Sequence, residues 1–289
     1  MREKIFVANA SGVQGSQIAA QLMEEGYEVS TLIRTEKTLK GVEVHVGNLN
    51  ETKEIQTALK GVKAAVYTFP MVFEEQVAIT YTTNFIKACQ KEGVDLVIFN
   101  AASELPKTKT GLLALDIKLV MDDLFKTSDL NVITLVPDIY IDNLAAPWSI
   151  PVILEHGILP YPIASEQAIP WISHIDLAKY VLAALKQPSL AGQQLPINSN
   201  CWTGEEISAE LSKYLGRTIN FVSLSPNDFE AQLAPAFGVP MAKEVSNIYR
   251  HLKNNTTSLL AKDFKRTQEL LSVVPQTLTE WVTSITWEN

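Results

Sequence analysis

The sequence is short of cysteine. Among its 289 residues there are two, Cys89 and Cys201, which excludes a disulfide scaffold and a multi-cysteine zinc or iron–sulfur site. Histidine is also sparse. His45, His156, His174 and His251 fall at no metal-ligand spacing, so no metal centre is expected. Positive charge is in deficit: Lys plus Arg number 24 against 32 Asp plus Glu, a net charge of −8. That balance argues against nucleic acid or an anionic membrane surface as the partner. No stretch approaches the ~20 apolar residues that cross a bilayer, and no repeat or low-complexity tract is present. The start, MREKIFVANASGVQG, has only IFVA as an apolar run, far short of a signal-peptide core. A reduced, cytoplasmic enzyme or binding protein is expected.

What the chain does have is apolar material, 46% of residues against 19% charged. That is enough for a sizeable core in one large domain or one domain plus a smaller partner. Short apolar runs alternate with helical patterns. Strands are expected at 4–8, 29–33, 42–46, 64–67, 96–99 and 131–136, and helices at 15–25, 51–59, 75–91 and 112–126. Strands alternating with helices imply βαβ units and a parallel sheet covered on both faces, doubly wound by right-handed crossovers. After Val136 the prolines at 137, 147, 151, 160, 162 and 170 break the chain into short pieces. A helix is expected over 174–186 and a strand over 194–197. A further helix, 203–215, opens on a Thr203/Glu206 capping box and stops at Gly216. The remainder reads as mostly helical.

The strongest chemical signal is Ala8-Asn9-Ala10-Ser11-Gly12-Val13-Gln14-Gly15, directly after the first strand. It is a G-x-x-G-x-x-G loop with Asn9 in the first glycine position, which is tolerable because Asn visits the left-handed region readily. Gly12 would let the backbone approach a pyrophosphate and Gly15 would let helix pack on strand, with the helix N-terminus facing the phosphates. The bland alternative is an ordinary strand–helix turn. Arg34 closes the second strand, where an NAD site usually carries Asp or Glu. An arginine there pairs with a 2′-phosphate, Lys37 adding charge, unless it is simply a solvated surface residue. Lys118 lies on the helix after the fifth strand. In a Tyr-x-x-x-Lys pair it would hold the nicotinamide ribose, but Ala114 stands where the phenol would be. A Tyr-x-x-x-Lys string at Tyr249 and Lys253 lies far beyond the sheet region and reads as chance. Ser103, in Asn100-Ala101-Ala102-Ser103, is a weak candidate for polarising a carbonyl. His174 with Asp176 and the buried Cys89 have structural readings. Trp148, Tyr161 and Trp171 either line an aromatic cleft or form core.

Taken in order, NASGVQG, Arg34, Gly47-Asn48-Leu49, Lys118, Pro137 with Asn143, Asp176 and the late DFKRTQELLSVVPQTLTEWV resemble the atypical short-chain dehydrogenases of the NmrA-like group. The resemblance spans essentially the whole chain. It implies an α/β fold: a Rossmann doubly wound parallel sheet with a smaller, mostly helical C-terminal domain. Residues 1–150 would form the NAD(P)-binding domain, joined by elements from about 167–200. Residues 201–289 with about 151–166 would form the domain that binds substrate or partner. The resemblance places Asn9, Ser11, Gly12, Val13, Gln14 and Gly15 at the phosphates, Arg34 at the 2′-phosphate and Asn48 near the adenine. Thr68 and Phe69 fall along the ribose and diphosphate, Lys118 at the nicotinamide ribose, and Tyr140 near the nicotinamide pocket. Lys118 and Tyr140 are the candidate catalytic residues. Asn9 for glycine and Asn48 for the Asp of many relatives are departures.

The expected function is NADP(H)-dependent hydride transfer to a small aromatic or quinone-like acceptor, a reduction that needs no phenol acid because the product oxygen is stabilised by delocalisation. The alternatives are a non-catalytic NAD(P) sensor that binds a regulatory protein, and a sugar-nucleotide epimerase, against which Arg34 and the missing tyrosine count.

Overall fold

The computed structural model describes residues 2–288. Its strands are β1 Lys4–Val7, β2 Glu28–Ile33, β3 Val42–Val46, β4 Val62–Thr68, β5 Leu96–Asn100, β6 Val132–Val136, β7 Ile139–Tyr140, β8 Ile158–Tyr161, β9 Ile169–Ile172, β10 Gln194–Pro196, β11 Asn200–Trp202 and β12 Asn220–Ser223. Its helices are α1 Val13–Glu24, α2 Thr52–Ala58, α3 Glu75–Glu92, α4 Leu113–Lys126, α5 Ile150–His156, α6 His174–Leu185, α7 Gly204–Leu215, α8 Pro226–Phe237, α9 Val239–Leu260, α10 Phe264–Leu271 and α11 Leu278–Ser284. The chain divides into two compact units. The first contains the residues up to Pro137, His174–Ile197 and Phe264–Val273. The second contains Asp138–Ser173, Asn198–Asp263 and the residues from Val274 onward.

The first unit is built on a parallel sheet of order β10-β6-β5-β4-β1-β2-β3. Strands inside such a sheet lie between two helical layers, which is why VITLV of β6 and LVIFN of β5 are buried at every position. The edge strand β3 is instead partly exposed throughout. On one face, α2, α3 and α4 pack side by side and close a core around Phe6, Tyr67, Phe85, Phe99 and Phe125. These rings lie 4.6–6.5 Å apart, tilted or edge-on, as their quadrupoles favour. Truncating one of these phenylalanines to alanine costs about 3–5 kcal/mol. On the other face α1 packs against α6; α1 turns Gly15, Ile18, Ala19 and Leu22 inward, the i, i+3, i+4, i+7 stripe of an amphipathic helix. The strand order reverses between β1 and β4, the point where open α/β sheets receive ligands at their carboxyl ends.

The second unit holds a three-stranded sheet, β11-β9-β7, and a pair, β12-β8. Pro160 and Pro170 lie inside β8 and β9 where the sequence suggested breaks. Pro160 is tolerated because β8 pairs on only one side, with β12. Trp171 is fully buried and donates from Nε1 to the Trp202 carbonyl at 3.0 Å. The expected capping box of α7 is present, with Thr203 Oγ1 accepting from the Glu206 N–H at 3.0 Å and Gly216 at φ +65° ending the helix. No helix among the described residues is long and apolar enough to cross a membrane, and no group of His, Cys, Asp and Glu there could hold a metal ion.

Candidate functional site

The loop after β1 makes a tight reversal. Asn9 stands at φ +58°, and the Gly12 N–H donates to the Asn9 carbonyl at 2.9 Å. Thr31 on β2 steadies the loop from below: its hydroxyl donates to Val7 O at 2.7 Å and accepts from the Ala10 N–H at 3.3 Å. Gly12 is extended, so α1 begins at Val13, two residues before the helix read from the sequence, and no side chain caps its first turn. The N–H groups there have no intrahelical partners. Gly15 is obligatory. A Cβ at that position would lie 2.2 Å from Asn9 O and 2.7 Å from the Asn9 carbonyl carbon. The helix and the loop therefore touch backbone to backbone.

A cleft of about 560 Å³ opens beside this loop, at the carboxyl ends of β1, β2 and β4. Asn9 and Ser11 line it from the loop, Arg34 and Lys37 from the end of β2, Asn48 from the end of β3 and Thr68 from the end of β4. Arg34 is exposed and makes no hydrogen bond or ion pair among the described residues, so its guanidinium is available to an anion. The Asn48 segment is held from below: Glu54 accepts the Asn48 N–H at 2.6 Å, and Asn84 donates to the carbonyls of Leu49 and Asn50 at 3.0 and 2.8 Å. Gly12, Val13, Gln14 and Gly15 continue the loop into α1 behind the lining residues.

Phe69 follows Thr68 and is nearly fully buried. Lys118, half-buried on α4, carries its ammonium 6.0 Å from the centre of the Phe69 ring, within cation–π range. It has no ion pair or hydrogen bond among the described residues. Burial of this unpaired cation lowers its pKa to about 8. The helix that carries it is fixed by Asp116, which accepts from Thr110 N–H and Oγ at 2.7 and 2.8 Å and from Gly111 N–H at 2.9 Å. Burial raises the Asp116 pKa, but these bonds outweigh it and hold the carboxyl below its ordinary value. Ala114, at the position of the missing phenol, is buried.

The first unit thus brings Asn9, Ser11, Arg34, Asn48 and Thr68 to one cleft, with Phe69 and Lys118 packed on each other. Tyr140 lies on β7 in the second unit and is buried. The remaining motifs resolve as structure. Tyr249 is buried, its hydroxyl 2.5 Å from that of Tyr161, while Lys253 is exposed. Burial pushes the Tyr161 phenol up to about 12, although Tyr249 and Asn143 bond to it. Trp171 and Tyr161 are core, and Trp148 is partly exposed, packed edge-on against Phe237. Asp176 is buried and paired with Lys179 at 2.9 Å. Ser103 is buried, with only a 3.5 Å contact from its hydroxyl to Glu104 O.

Sequence reasoning passed over Thr35, Glu36, Met71, Val72 and Tyr81, which also line the cleft. Thr35 and Glu36 follow directly on Arg34, and Met71 and Val72 come within three residues of Phe69, so adjacency was an available signal. Tyr81 comes from the middle of α3 and had none.

Comparison with known proteins agrees with this architecture. The chain is 23% identical over 218 residues to the Photosystem II assembly factor Ycf39 of Synechocystis sp., a match covering 71% of this chain and 65% of that protein, just under two thirds of its length. It is 24% identical over 257 residues to the NAD(P)H azoreductase of Xenophilus azovorans, covering 85% and 86%. The NADPH-dependent quinone oxidoreductase of Escherichia coli, solved with NADPH, superposes with a TM-score of 0.77 at 20% identity, covering 97% of this chain and 99% of that one. The profile of the NmrA-like family matches residues 1–282, and the chain belongs to that family.

Proposed function

We propose that this protein binds NADP(H) in the cleft beside the Asn9–Gly15 loop and reduces a small quinone-like or other conjugated acceptor. The observation that carries the reading is the unpartnered Arg34, which lines the cleft together with Asn9 and Ser11 of a loop that leads into an uncapped helix N-terminus, the helix drawn against that loop by the Gly15 contact. The first supplies a fork of donors for a 2′-phosphate; the second supplies N–H groups and a dipole end for a diphosphate. A volume of about 560 Å³ falls in the range of small-molecule and cofactor sites. The residues present therefore fit the group. When bound, the nicotinamide supplies the hydride chemistry.

The chain's own residues supply binding and orientation. Arg34 and Lys37 select the extra phosphate. Asn48 meets the adenine end and Thr68 the ribose and diphosphate. Lys118 donates to the ribose hydroxyls at the nicotinamide end. With a pKa of about 8 its ammonium is charged at neutral pH yet yields a proton more easily than an ordinary lysine. A quinone or azo acceptor draws its proton from water, so the buried Ala114 at the phenol position is no obstacle to that class of reduction.

The same Ala114 supports a second reading, a dinucleotide sensor without turnover that binds a protein partner. Calorimetry with NADPH and NADH, followed by NADPH oxidation at 340 nm with a panel of quinones and azo compounds, separates the readings. Tight NADPH binding with turnover supports the reductase, and binding without turnover supports the sensor. No binding of either coenzyme overturns both.

A further inference from the structure

The last residue of β5, Asn100, takes no part in the site as described, yet its side chain is fully engaged at the site's edge. It is 1% exposed. β5 pairs with β4 so that Asn100 stands opposite Thr68, and its carboxamide reaches across the end of β4 to the first turn of α1. Nδ2 donates to Gln14 Oε1 at 2.9 Å and to Thr68 Oγ1 at 3.3 Å, and Oδ1 accepts from the Ala102 N–H at 2.9 Å. The orientation is forced. A backbone N–H can only donate, so the atom facing Ala102 is the oxygen, and the amino group must face Gln14 and Thr68. Gln14 in turn must offer its carbonyl oxygen. Ala102 stands at φ +58°, a left-handed conformation that disfavours alanine, and the bond from its N–H to Asn100 helps to hold it there.

One buried amide therefore ties together Gln14 in the coenzyme loop, Thr68 on the cleft wall and the start of the segment that leads to the helix bearing Lys118. We propose that Asn100 is a positioning residue: acting through Gln14, it holds the first turn of α1 in the conformation that receives the coenzyme diphosphate. The inference rests on the NADP(H) reading above. A satisfied buried network of this kind has a single arrangement, which is what a loop that recognises a ligand through backbone N–H groups requires.

The test is a double-mutant cycle on the full chain, read by NADPH and NADH fluorescence titration with thermal melting alongside. Asn100→Ala and Gln14→Ala should each weaken NADPH binding roughly tenfold. The loss should be equal for NADH, because the diphosphate is common to both coenzymes. The double variant should bind within about threefold of the weaker single variant, as expected for residues acting as one unit. Adding Ala102→Gly to Asn100→Ala should restore melting temperature but not affinity. Multiplicative losses in the double variant would overturn the proposal, as would wild-type affinity in Gln14→Ala, a half-buried position whose variant folds whatever the fate of Asn100→Ala. Either result leaves the NADP(H) reading standing. Failure of the wild-type protein to bind either coenzyme removes that reading and this one together.

Discussion

Replacing Gly15 by alanine sets two effects against each other. In a helix interior alanine is favoured over glycine by about 1 kcal/mol, so propensity alone forecasts a more stable protein. The site forecasts the reverse. The added carbon would meet Asn9 O at 2.2 Å, the Asn9 carbonyl carbon at 2.7 Å and Ala10 Cα at 2.9 Å, and all three belong to backbone that cannot rotate away. Ordinary contact requires about 3.5 Å, so α1 must move from its loop by roughly 1 Å. Such overpacking costs about 1–3 kcal/mol, and the net change is a fall in melting temperature of a few degrees, on the order of 2–4 °C per kcal/mol. Binding suffers more. Displaced N–H groups forfeit charge-assisted bonds of about 1.5–3 kcal/mol each, so NADPH affinity should fall at least roughly tenfold. Gly12→Ala is the internal control: its new carbon meets Asn9 Nδ2 at 2.8 Å, the far end of an exposed side chain that can swing aside, and melting should stay within about 1 °C. Differential scanning fluorimetry and NADPH titration of the two variants decide the matter. Equal melting in both would refute the view that helix and loop meet backbone to backbone.

Arg34→Ala should weaken NADPH binding by about 1.5–3 kcal/mol while leaving NADH nearly unchanged; equal losses by calorimetry would remove the 2′-phosphate role. Lys118→Met should raise the melting temperature at pH 7. Burial lowers the lysine pKa to about 8, so the folded state resists a proton that the unfolded chain holds up to about 10.4. The penalty is full below pH 8 and fades as pH rises towards 10.4, so the gain should shrink over that window. A gain independent of pH would show that the ammonium is not desolvated. Thr203→Ala should cost about 1 kcal/mol in urea unfolding through loss of the α7 capping box. In the native protein Cys89, fully buried and with its thiol pKa pushed up by burial, should be silent to a thiol reagent that reads two thiols under denaturant.

The parallel sheet was legible because burial on both faces leaves continuous apolar runs, as in VITLV and LVIFN, and because glycines and caps punctuate the helices between them. The start of α1 was placed two residues late because Gly12 is extended, which a helical periodicity cannot register. The short sheets of the second unit were obscured by proline. Pro160 and Pro170 read as breaks, but lie in strands, Pro160 in one that pairs on a single side. The cleft was legible where its residues close a strand or lie in the glycine loop, as Asn9, Arg34 and Thr68 do. It was illegible where contact depends on chain far away. Asn100 bonds Gln14 across 86 positions, and no local pattern marks either as the other's partner.

The first unit is threaded three times. The chain leaves it after Pro137, returns with α6 and β10, leaves after Ile197 and returns with α10. A fragment cut at residue 137 would lack the seventh strand and one wall of α1's packing, leaving the β6 edge bare. The first unit is therefore not a separable module. Gene fragments meant to isolate it should aggregate, and a premature stop between residues 138 and 263 should cost the cleft its support even though every residue lining it has already been made.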